Sequence, residues 1–380
     1  MTIGRNNRPQ TISDLTKPAD TKPTDQTRQD HDLGFLLRYE NIAWYEGGVV
    51  RILDRRVYPT TLRYEACESV EDVAHAIKDM VTQSAGPYTA AGMGMALAAN
   101  AVAEKTKVKQ LEALRYAADI LSTARPTTEP RMRRVTEGAI RAAENALDAG
   151  KSDLTDTLFN VAFNALERRY ARMTLVGQYF VSLLPKKAVV MTQCFGETIV
   201  GTALRAAKDA GVEIKLFCPE TRPYFQGARL TASVAIDMGA DVTVITDNMP
   251  AEVLSRHNVD VFTSAADAIT TDGYVVNKVG TLQIAIAAHH FGVPYFVTGI
   301  PDTITHNDVV IEQRDPEYVL QARGIQNTKP GVKGYYPSFD VTPPHLISGV
   351  VTDRGILTPY TLSYYKKDNT DTDFYGGLII

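Results

Sequence analysis

The sequence predicts an α/β protein in which a mainly helical first half precedes a mainly parallel sheet. Up to about residue 185, apolar residues recur at helical spacing. After Pro185, helical patterns alternate with short runs rich in Val, Ile and Phe: AVVMT, EIKLF, VTVIT, VDVFTSA and PYFVTG. Strands that are apolar along their whole length and alternate with helices indicate a parallel sheet covered on both faces.

The composition is that of an ordinary soluble globular protein. Of 380 residues, 44% are hydrophobic and 22% are charged, and the net charge is −4. No basic excess predicts a nucleic-acid partner, and no apolar run reaches the roughly 18 residues that a membrane span needs. Cys67, Cys194 and Cys218 form neither a disulfide framework nor a CxxC metal pair. A reducing, cytoplasmic setting is the expectation.

The chain is expected to divide into three parts. Residues 1–33 are polar and rich in Thr, Asp and Pro, which predicts a disordered tail, and they lack the apolar middle of a secretory signal. Residues 34–185 are predicted to form a mainly helical domain with a leading β-hairpin. Residues 186–380 are predicted to form the α/β domain.

The first half contains a hairpin followed by helices. The stretch NIAWYEGGVVRILDRRVYP alternates apolar and polar residues around a Glu-Gly-Gly turn, as a hairpin does. In SVEDVAHAIKDMV, Ser69 and Asp72 have the spacing of a capping box at a helix start. An interrupted segment, TQSAGPYTAAG, separates this helix from the predicted helix MGMALAANAVAEKTK. Further helical patterns follow in VKQLEALRYAADILSTA, RRVTEGAIRAAENALDAG and residues 153–184.

The parallel sheet indicates where functional residues are to be sought. Its connecting helices are predicted in IVGTALRAAKDAG, QGARLTASVAIDMG, MPAEVLSRHN and TLQIAIAAHHFG. In such sheets the ligand site lies beyond the carboxyl ends of the strands. Residues that closely follow a strand are therefore the candidates, and Cys194, Gln226, Asp267 and the pair Asn277–Lys278 are expected at successive strand ends of this sheet.

Cys194 follows AVVMT, and a helix begins a few residues later. A thiol near a helix N-terminus feels a positive partial charge that stabilises the thiolate. The alternative is a cysteine that only packs, because free cysteine is among the most buried residue types. Position alone favours this alternative.

Asp267 follows VDVFTSA in the segment SAADAITTDGYVVNKVGT. A carboxyl group buried at a strand end has a raised pKa and can serve as an acid or a base. The alternative is a helix or turn cap, a common role of aspartate.

Five further residues have side chains suited to a sugar or an anion. Lys278 offers a point charge, Asn277 offers an amide for hydroxyl groups, and Gln226 stands at a predicted helix start after the Thr-Arg-Pro turn. Arg222 in that turn could bridge carboxylates or pin the loop. In the helical half, Arg125 is the best phosphate candidate, because a guanidinium matches phosphate oxygens in a bidentate way. Ordinary polar or basic loops are the alternative for each.

Several segments together resemble the methylthioribose-1-phosphate isomerase family. They are ETRPYFQGARLTA, VTVITDNMPA, ADAITTDGYVVNKVGT, IEQRDPEYV and SFDVTPPHLISGVVTDRGIL, and the similarity runs in one order from about Ile42 to Gly355. The family is related to ribose-1,5-bisphosphate isomerase. It is also related to regulatory subunits of the guanine-nucleotide exchange factor of translation initiation.

The resemblance implies a helical N-terminal domain, a Rossmann-like C-terminal domain without a dinucleotide, and a homodimer. It implies a small-molecule sugar-phosphate substrate, interconverted between aldose 1-phosphate and ketose 1-phosphate in methionine salvage. Proton and hydride routes for this chemistry need no metal and no nicotinamide, so no metal or cofactor is expected. The family's catalytic cysteine and aspartate match Cys194 and Asp267, which reverses the preference for a packing cysteine. Residues that match the family's substrate ligands are Arg125, Gln226, Asn277 and Lys278.

The chain departs from the family around the substrate. Gln83, Ser84 and Ala85 stand where the family carries an Arg-Gly-Ala-Pro segment that holds substrate, so one positive charge is lost. The family's cysteine is usually followed by Asn-Ala-Gly, and here by Phe195, Gly196 and Glu197. The segment of Asp267 begins Ala-Ala rather than Gly-Ala. These departures predict a retained catalytic pair in an altered substrate pocket.

Three functional alternatives stay open on the sequence. The first is isomerisation of a 5-substituted ribose 1-phosphate, in which the C2 hydrogen moves to C1 as a proton or as a hydride. The second is the same chemistry on a different or unphosphorylated 5-substituted ribose, motivated by Gln83. The third is a non-catalytic subunit that senses a sugar phosphate. The joint presence of Cys194 and Asp267 argues against a subunit that only binds.

Overall fold

A computed structural model of the chain describes residues 28–125 and 129–365. These residues form two compact units. The first holds residues 28–31, 38–125 and 129–167, and the second holds residues 32–37 and 168–365. Most of the predicted tail, residues 1–27, lies outside the described residues.

The first unit contains a three-stranded antiparallel sheet made of β1 (Ala43–Glu46), β2 (Val49–Leu53) and β3 (Tyr64–Cys67). Glu46 pairs with Val49 around Gly47 and Gly48, both of which have positive φ, a conformation that glycine adopts without cost. The predicted hairpin is therefore confirmed.

The helices of the first half are α1 (Val70–Lys78), α2 (Gly86–Ala101), α3 (Lys107–Thr123), α4 (Glu129–Asp148) and α5 (Thr155–Val181), and the boundary between the units falls within α5. At the start of α1, the backbone N–H of Asp72 donates to Oγ of Ser69 over 3.1 Å. The N–H of Ser69 donates to Oδ2 of Asp72, also over 3.1 Å. The predicted capping box is confirmed.

Helix α2 begins earlier than predicted, at Gly86 rather than after Gly92. Pro87 occupies its first turn, where proline is tolerated because no N–H is needed there. The glycines that suggested an interruption instead allow close packing within the first unit. A Cβ at Gly92 would lie 3.0 Å from Cβ of Ala162, and one at Gly94 would lie 3.0 Å from Leu121. Burial of the helix thus overrides the low helix propensity of glycine.

The second unit is built on a seven-stranded sheet in the order β15-β14-β10-β7-β4-β5-β6. Six neighbouring strands run parallel, and β15 runs antiparallel at one edge. The strands are β4 (Lys187–Met191), β5 (Glu213–Pro219), β6 (Asp241–Ile245), β7 (Val261–Ser264), β10 (Tyr295–Thr298), β14 (Gly349–Thr352) and β15 (Gly355–Leu357). The predicted α/β class with a mainly parallel sheet is confirmed.

Helices cover both faces of this sheet. They are the end of α5, α6 (Glu197–Ala210), α7 (Ala232–Asp237), α8 (Pro250–Arg256) and α9 (Thr281–His290). A short α10 (Glu317–Leu320) follows later in the chain. Met191 of β4 packs in a cluster that includes Ile284 of α9. Its neighbour Val190 packs on the other face in a cluster that includes Val176 of α5 and Leu204 of α6. None of the described helices is long and apolar enough to cross a lipid bilayer.

Two small antiparallel sheets complete the described part of the second unit. One consists of β8 (Ala268–Ile269), β9 (Val275–Lys278) and β13 (Phe339–Thr342), and the other of β11 (Gln321–Ala322) and β12 (Ile325–Gln326). Asn277 and Lys278 therefore lie in β9, and their expected position after a strand of the main sheet is wrong. Strand β9 begins with Val275 and Val276 and continues through this polar pair, because all four residues pair with Phe339–Thr342 of β13. The side chains of Asn277 and Lys278 are buried.

Candidate active site

Cys194 lies in the turn between β4 and α6, with a φ of +62°. This left-handed conformation costs a residue with a Cβ about 1 kcal/mol or more. Two threonine hydroxyls hold it. The backbone N–H of Cys194 donates to Oγ1 of Thr221 over 3.2 Å, and its carbonyl accepts from Oγ1 of Thr231 over 2.5 Å. The position of the thiol is thus fixed through its backbone.

The loop that carries Thr221 is itself anchored to the next strand. The N–H groups of Thr221 and Arg222 donate to the two carboxylate oxygens of Asp247, each over 2.7 Å, and Asp247 follows β6. Gly227 closes the loop, because a Cβ there would lie 1.8 Å from the carbonyl oxygen of Pro219. Only glycine allows this approach, so the sequence TRPYFQG folds back against the end of β5.

Thr231 ends a single π-helical turn, Gly227–Thr231, that precedes α7. Such turns add a residue to a helix and re-aim its side chains, frequently at functional sites. Here the turn presents the hydroxyl of Thr231 to the carbonyl of Cys194.

Thr231→Val removes this hydroxyl but keeps the shape of the side chain. We expect the variant to lose about 1 kcal/mol of unfolding free energy, because the carbonyl of Cys194 loses its donor. Urea denaturation measures the loss. Thr231→Ser keeps the hydroxyl and serves as the control. Equal stability of the two variants would show that the hydroxyl does not hold Cys194.

Lys278 is buried on β9, with 4% of its surface exposed. Its Nζ lies 4.9 Å from the centre of the Phe339 ring, 5.6 Å from that of Tyr336, and 3.5 Å from Oη of Tyr336. Beside it, Nδ2 of Asn277 donates to Oγ1 of Thr281 over 3.0 Å. A buried ammonium and a buried amide therefore stand next to each other.

A direct contact links this strand to the turn of Cys194. Gln193, which precedes Cys194, donates from Nε2 to the carbonyl of Val279 over 3.2 Å, and Val279 follows Lys278. Gly280 is required at this point, since it has a φ of +106° and a Cβ would lie 2.8 Å from Nε2 of Gln193. The cysteine turn and the Asn-Lys strand are thus in direct contact.

The environment of Cys194 favours the neutral thiol. Burial raises the pKa of the thiol to about 11, and the nearby carboxylates of Asp267 and Asp247 add to this rise. The ammonium of Lys278 and the N–H of Phe195 lower the pKa without offsetting the burial. The expected stabilisation of the thiolate by the helix is therefore outweighed, and Cys194 carries its proton at neutral pH.

Asp267 follows β7 and is exposed, so its predicted burial is wrong. Its N–H donates to the carbonyl of Val276 over 2.9 Å, at the junction with the small sheet. The segment still lies against the turn of Cys194, because a Cβ at Gly196 would come within 2.8 Å of Cβ of Ala265. The structure thus brings Asp267, Cys194 and Lys278 together, with the carboxyl group on the solvent side.

Gln226 directly precedes the π-helical turn and is 5% exposed. Its Oε1 is buried and accepts no hydrogen bond from the described part of the chain, so it can receive a sugar hydroxyl. Arg222 donates to the carbonyls of Val319 and Gln321 over 3.3 and 2.8 Å. Of its two possible roles, Arg222 therefore pins the loop.

The remaining predicted site residues belong to the first unit. Gln83, Ser84 and Ala85 directly precede α2, and Nη1 of Arg55 donates to the carbonyl of Gln83 over 2.7 Å. The side-chain Oε1 of Gln83 is buried without a hydrogen-bond partner among the described residues. Arg125 follows α3 and is 9% exposed. These residues remain predicted substrate ligands.

Sequence reasoning missed three residues of the site: Thr221, Thr231 and Tyr336. Both threonines lie inside the segment ETRPYFQGARLTA, where only Arg222 and Gln226 were selected. No sequence pattern distinguishes a functional polar residue in a turn or inside a helix from an ordinary one. Their contacts depend on the fold-back at Gly227, which no spacing rule predicts. Tyr336 stands in a loop and is recognised only by its contact with Lys278.

Comparison with known proteins gives consistent matches. Residues 83–359 match the initiation factor 2 subunit family. Methylthioribose-1-phosphate isomerase 1 of Pseudothermotoga lettingae is 32% identical over 330 residues, which cover 83% of this chain and 94% of that protein. The crystal structure of 5-methylthioribose 1-phosphate isomerase from Pyrococcus horikoshii has 29% identity, covers 87% of this chain and 97% of its own, and gives a TM-score of 0.74. That of translation initiation factor eIF-2B, subunit delta, from A. fulgidus has 31% identity, coverages of 84% and 96%, and a TM-score of 0.73.

Proposed function

The chain belongs to the initiation factor 2 subunit family and, within it, to the methylthioribose-1-phosphate isomerase family, and we propose that Cys194 and Asp267 are its catalytic pair. The enzyme class is that of an aldose–ketose isomerase. The proposed reaction converts a 5-substituted ribose 1-phosphate, of the methylthioribose 1-phosphate type, into the ribulose 1-phosphate. The observation that supports this most is the convergence of Cys194, Asp267 and Lys278 beyond the carboxyl ends of β4 and β7.

The chemistry requires one acid and one base. The bond between C1 and the ring oxygen breaks as that oxygen takes up a proton. The hydrogen at C2 then moves to C1, and the C2 hydroxyl becomes a carbonyl as its proton returns to the acid that protonated the ring oxygen. Cys194 carries a proton at neutral pH, since its pKa is raised to about 11, and it is suited to the acid role. Asp267 is assigned as the base that takes the proton from C2.

Of the two routes for hydrogen transfer, we favour the proton route. A hydride route requires an apolar pocket and a protonated Asp267. The exposure of Asp267 and the buried ammonium of Lys278 support the proton route instead. In this scheme Lys278 balances the negative charge of an enediolate, and Asn277 and Gln226 bind hydroxyl groups.

The substrate is tested by an isomerisation assay on 5-substituted riboses and their 1-phosphates, with products separated by chromatography. We expect turnover of at least one 1-phosphate and at least about a hundredfold lower kcat/KM without the phosphate, because a paired phosphate contributes several kcal/mol. Gln83→Arg restores the family's charge and is the matched variant. Equal turnover with and without the phosphate would support the unphosphorylated substrate.

A second candidate function is a subunit that binds a sugar phosphate without converting it. The similarity to a structure described as an initiation-factor subunit favours it. It requires ligand binding without isomerisation, so calorimetric binding of a 1-phosphate that is never turned over would establish it.

The sheet type, the domain boundaries, the oligomeric state and the cellular location are also proposed, on the basis of the sequence and the resemblance. We assign the sheet to the Rossmann-like type, supported by its strand order, and keep the domain boundaries at residues 33 and 185. The resemblance supports a homodimer, which light scattering measures. The three free cysteines support a cytoplasmic location.

A further inference from the structure

Tyr336 is a buried tyrosine in the segment before β13, with 3% of its surface exposed. Its carbonyl accepts a hydrogen bond from the N–H of Arg314 over 3.0 Å, and Gln313 forms a β-bridge with Pro337. The rings of Tyr336 and Tyr224 lie 6.2 Å apart. Backbone pairing and ring contact therefore hold this side chain in its buried position.

The fixed tyrosine faces the flexible side chain of Lys278. Oη of Tyr336 lies 3.5 Å from Nζ of Lys278, and Nζ also lies over the ring. A lysine carries its ammonium on a flexible four-carbon stem, so the groups that contact the ammonium determine its position. Phe339 supplies a second ring contact.

The same tyrosine is close to Cys194. Burial is the main cause of the raised pKa of Tyr336, and the nearby Cys194, when ionised, adds to the rise. The ammonium of Lys278 in turn lowers the pKa of Cys194. The phenol contacts the ammonium, and both lie within electrostatic range of the thiol.

We infer that Tyr336 is a positioning residue that holds the ammonium of Lys278 beside Cys194. The inference deepens the proposed function, because the charge acts on the proposed catalytic acid. The charged partner of Arg314 is Glu312, 3.0 Å away, so Arg314 supports the tyrosine while its own charge is matched. Other charged or titratable groups that face the three residues are Tyr224, Asp247, Asp267, Arg314 and Asp340.

The test measures the rate of Cys194 alkylation by iodoacetamide between pH 6 and pH 11, resolved by peptide mass. Tyr336→Phe removes one oxygen and keeps the ring. We expect alkylation about threefold to tenfold slower at pH 8, because only the thiolate reacts and a tenfold change corresponds to one pKa unit. Tyr335→Phe is the matched control, since the neighbouring Tyr335 is 75% exposed, and it should retain the wild-type profile.

A double variant separates positioning from general packing. Lys278→Met is expected to slow alkylation at least as much as Tyr336→Phe. Adding Tyr336→Phe to Lys278→Met should then have no further effect, because the tyrosine acts through the ammonium. An equal effect in both backgrounds, or a Tyr336→Phe profile identical to that of Tyr335→Phe, would overturn the inference.

The experiment uses no substrate, so its outcome is independent of the proposed reaction. A protein that fails to isomerise any sugar can still show the coupling between Tyr336 and Lys278. Conversely, an active enzyme in which Tyr336→Phe leaves the thiol profile unchanged would retain its function without this positioning role.

Discussion

Replacing Cys194 with serine is expected to lower kcat for isomerisation of an aldose 1-phosphate by about a thousandfold or more. General acid–base groups contribute about a hundredfold to ten-thousandfold to rate, and a serine hydroxyl is a far weaker acid than a thiol. Initial rates and circular dichroism of the purified variant measure activity and fold. We expect a native spectrum, because the exchange changes one atom and leaves the backbone bonds to Thr221 and Thr231 in place.

Asp267→Asn is expected to lower kcat by about a hundredfold to ten-thousandfold, because the amide cannot accept the C2 proton. KM should change little, since the amide keeps the size and polarity of the exposed side chain. The pair should act as a unit, so the double variant should be no worse than the slower single variant.

Two variants control for these losses. Cys218→Ala removes the other cysteine of the second unit, which is buried in β5. Asp260→Asn changes a carboxylate whose Oδ2 accepts from the N–H of Val189 over 2.8 Å. Both should retain activity. If Cys194→Ser and Asp267→Asn turned over substrate at the wild-type rate, neither residue would be catalytic and the binding-subunit candidate would gain support.

Asp340 is expected to make the stability of the protein depend on pH. Oδ2 of this half-buried residue accepts from the N–H groups of Gly280 and Leu282 over 2.7 and 3.1 Å, at the start of α9. Oδ1 is buried without a hydrogen-bond partner among the described residues. Burial raises the pKa of Asp340 from 3.8 to about 6, and Lys278 and the two N–H groups limit the rise. At neutral pH the carboxylate therefore opposes folding.

The direction in which stability changes with pH follows from proton binding. The folded state holds the Asp340 proton more tightly than the unfolded state, so stability is highest below about pH 4 and falls as pH rises to about 6. The full loss is about 3 kcal/mol, of which about 2 kcal/mol falls between pH 4.5 and pH 7.5. Asp340→Asn lacks this loss. Its stability relative to wild type should increase by about 2 kcal/mol over that interval in urea denaturation.

Asp340→Ala distinguishes the charge from the hydrogen bonds. This variant leaves the N–H groups of Gly280 and Leu282 without their acceptor and should lose about 2 kcal/mol or more at every pH. Parallel stability curves for wild type and Asp340→Asn between pH 4.5 and pH 7.5 would contradict the assignment to Asp340.

Local chemistry was sufficient for much of the fold. The hairpin around Gly47 and Gly48, the capping box at Ser69 and the parallel strands of the sheet each follow from patterns within a few residues. The start of α2 could not be predicted from such patterns, because the glycines that suggest a break in the helix allow it to pack closely against Ala162 and Leu121. Propensity describes a residue alone, whereas burial depends on its neighbours.

The sequence by itself determined the α/β class, the alternation of strands and helices from β4 to β10 in the main sheet, and the candidates Cys194, Asp267, Gln226, Asn277 and Lys278. Only the tertiary structure decided how these candidates behave. It placed Lys278 in a separate sheet, left Asp267 exposed and held Cys194 as a neutral thiol. The reason is physical. Periodicity and motifs report which atoms follow one another along the chain, but burial, charge proximity and hydrogen bonding depend on groups that only folding brings together.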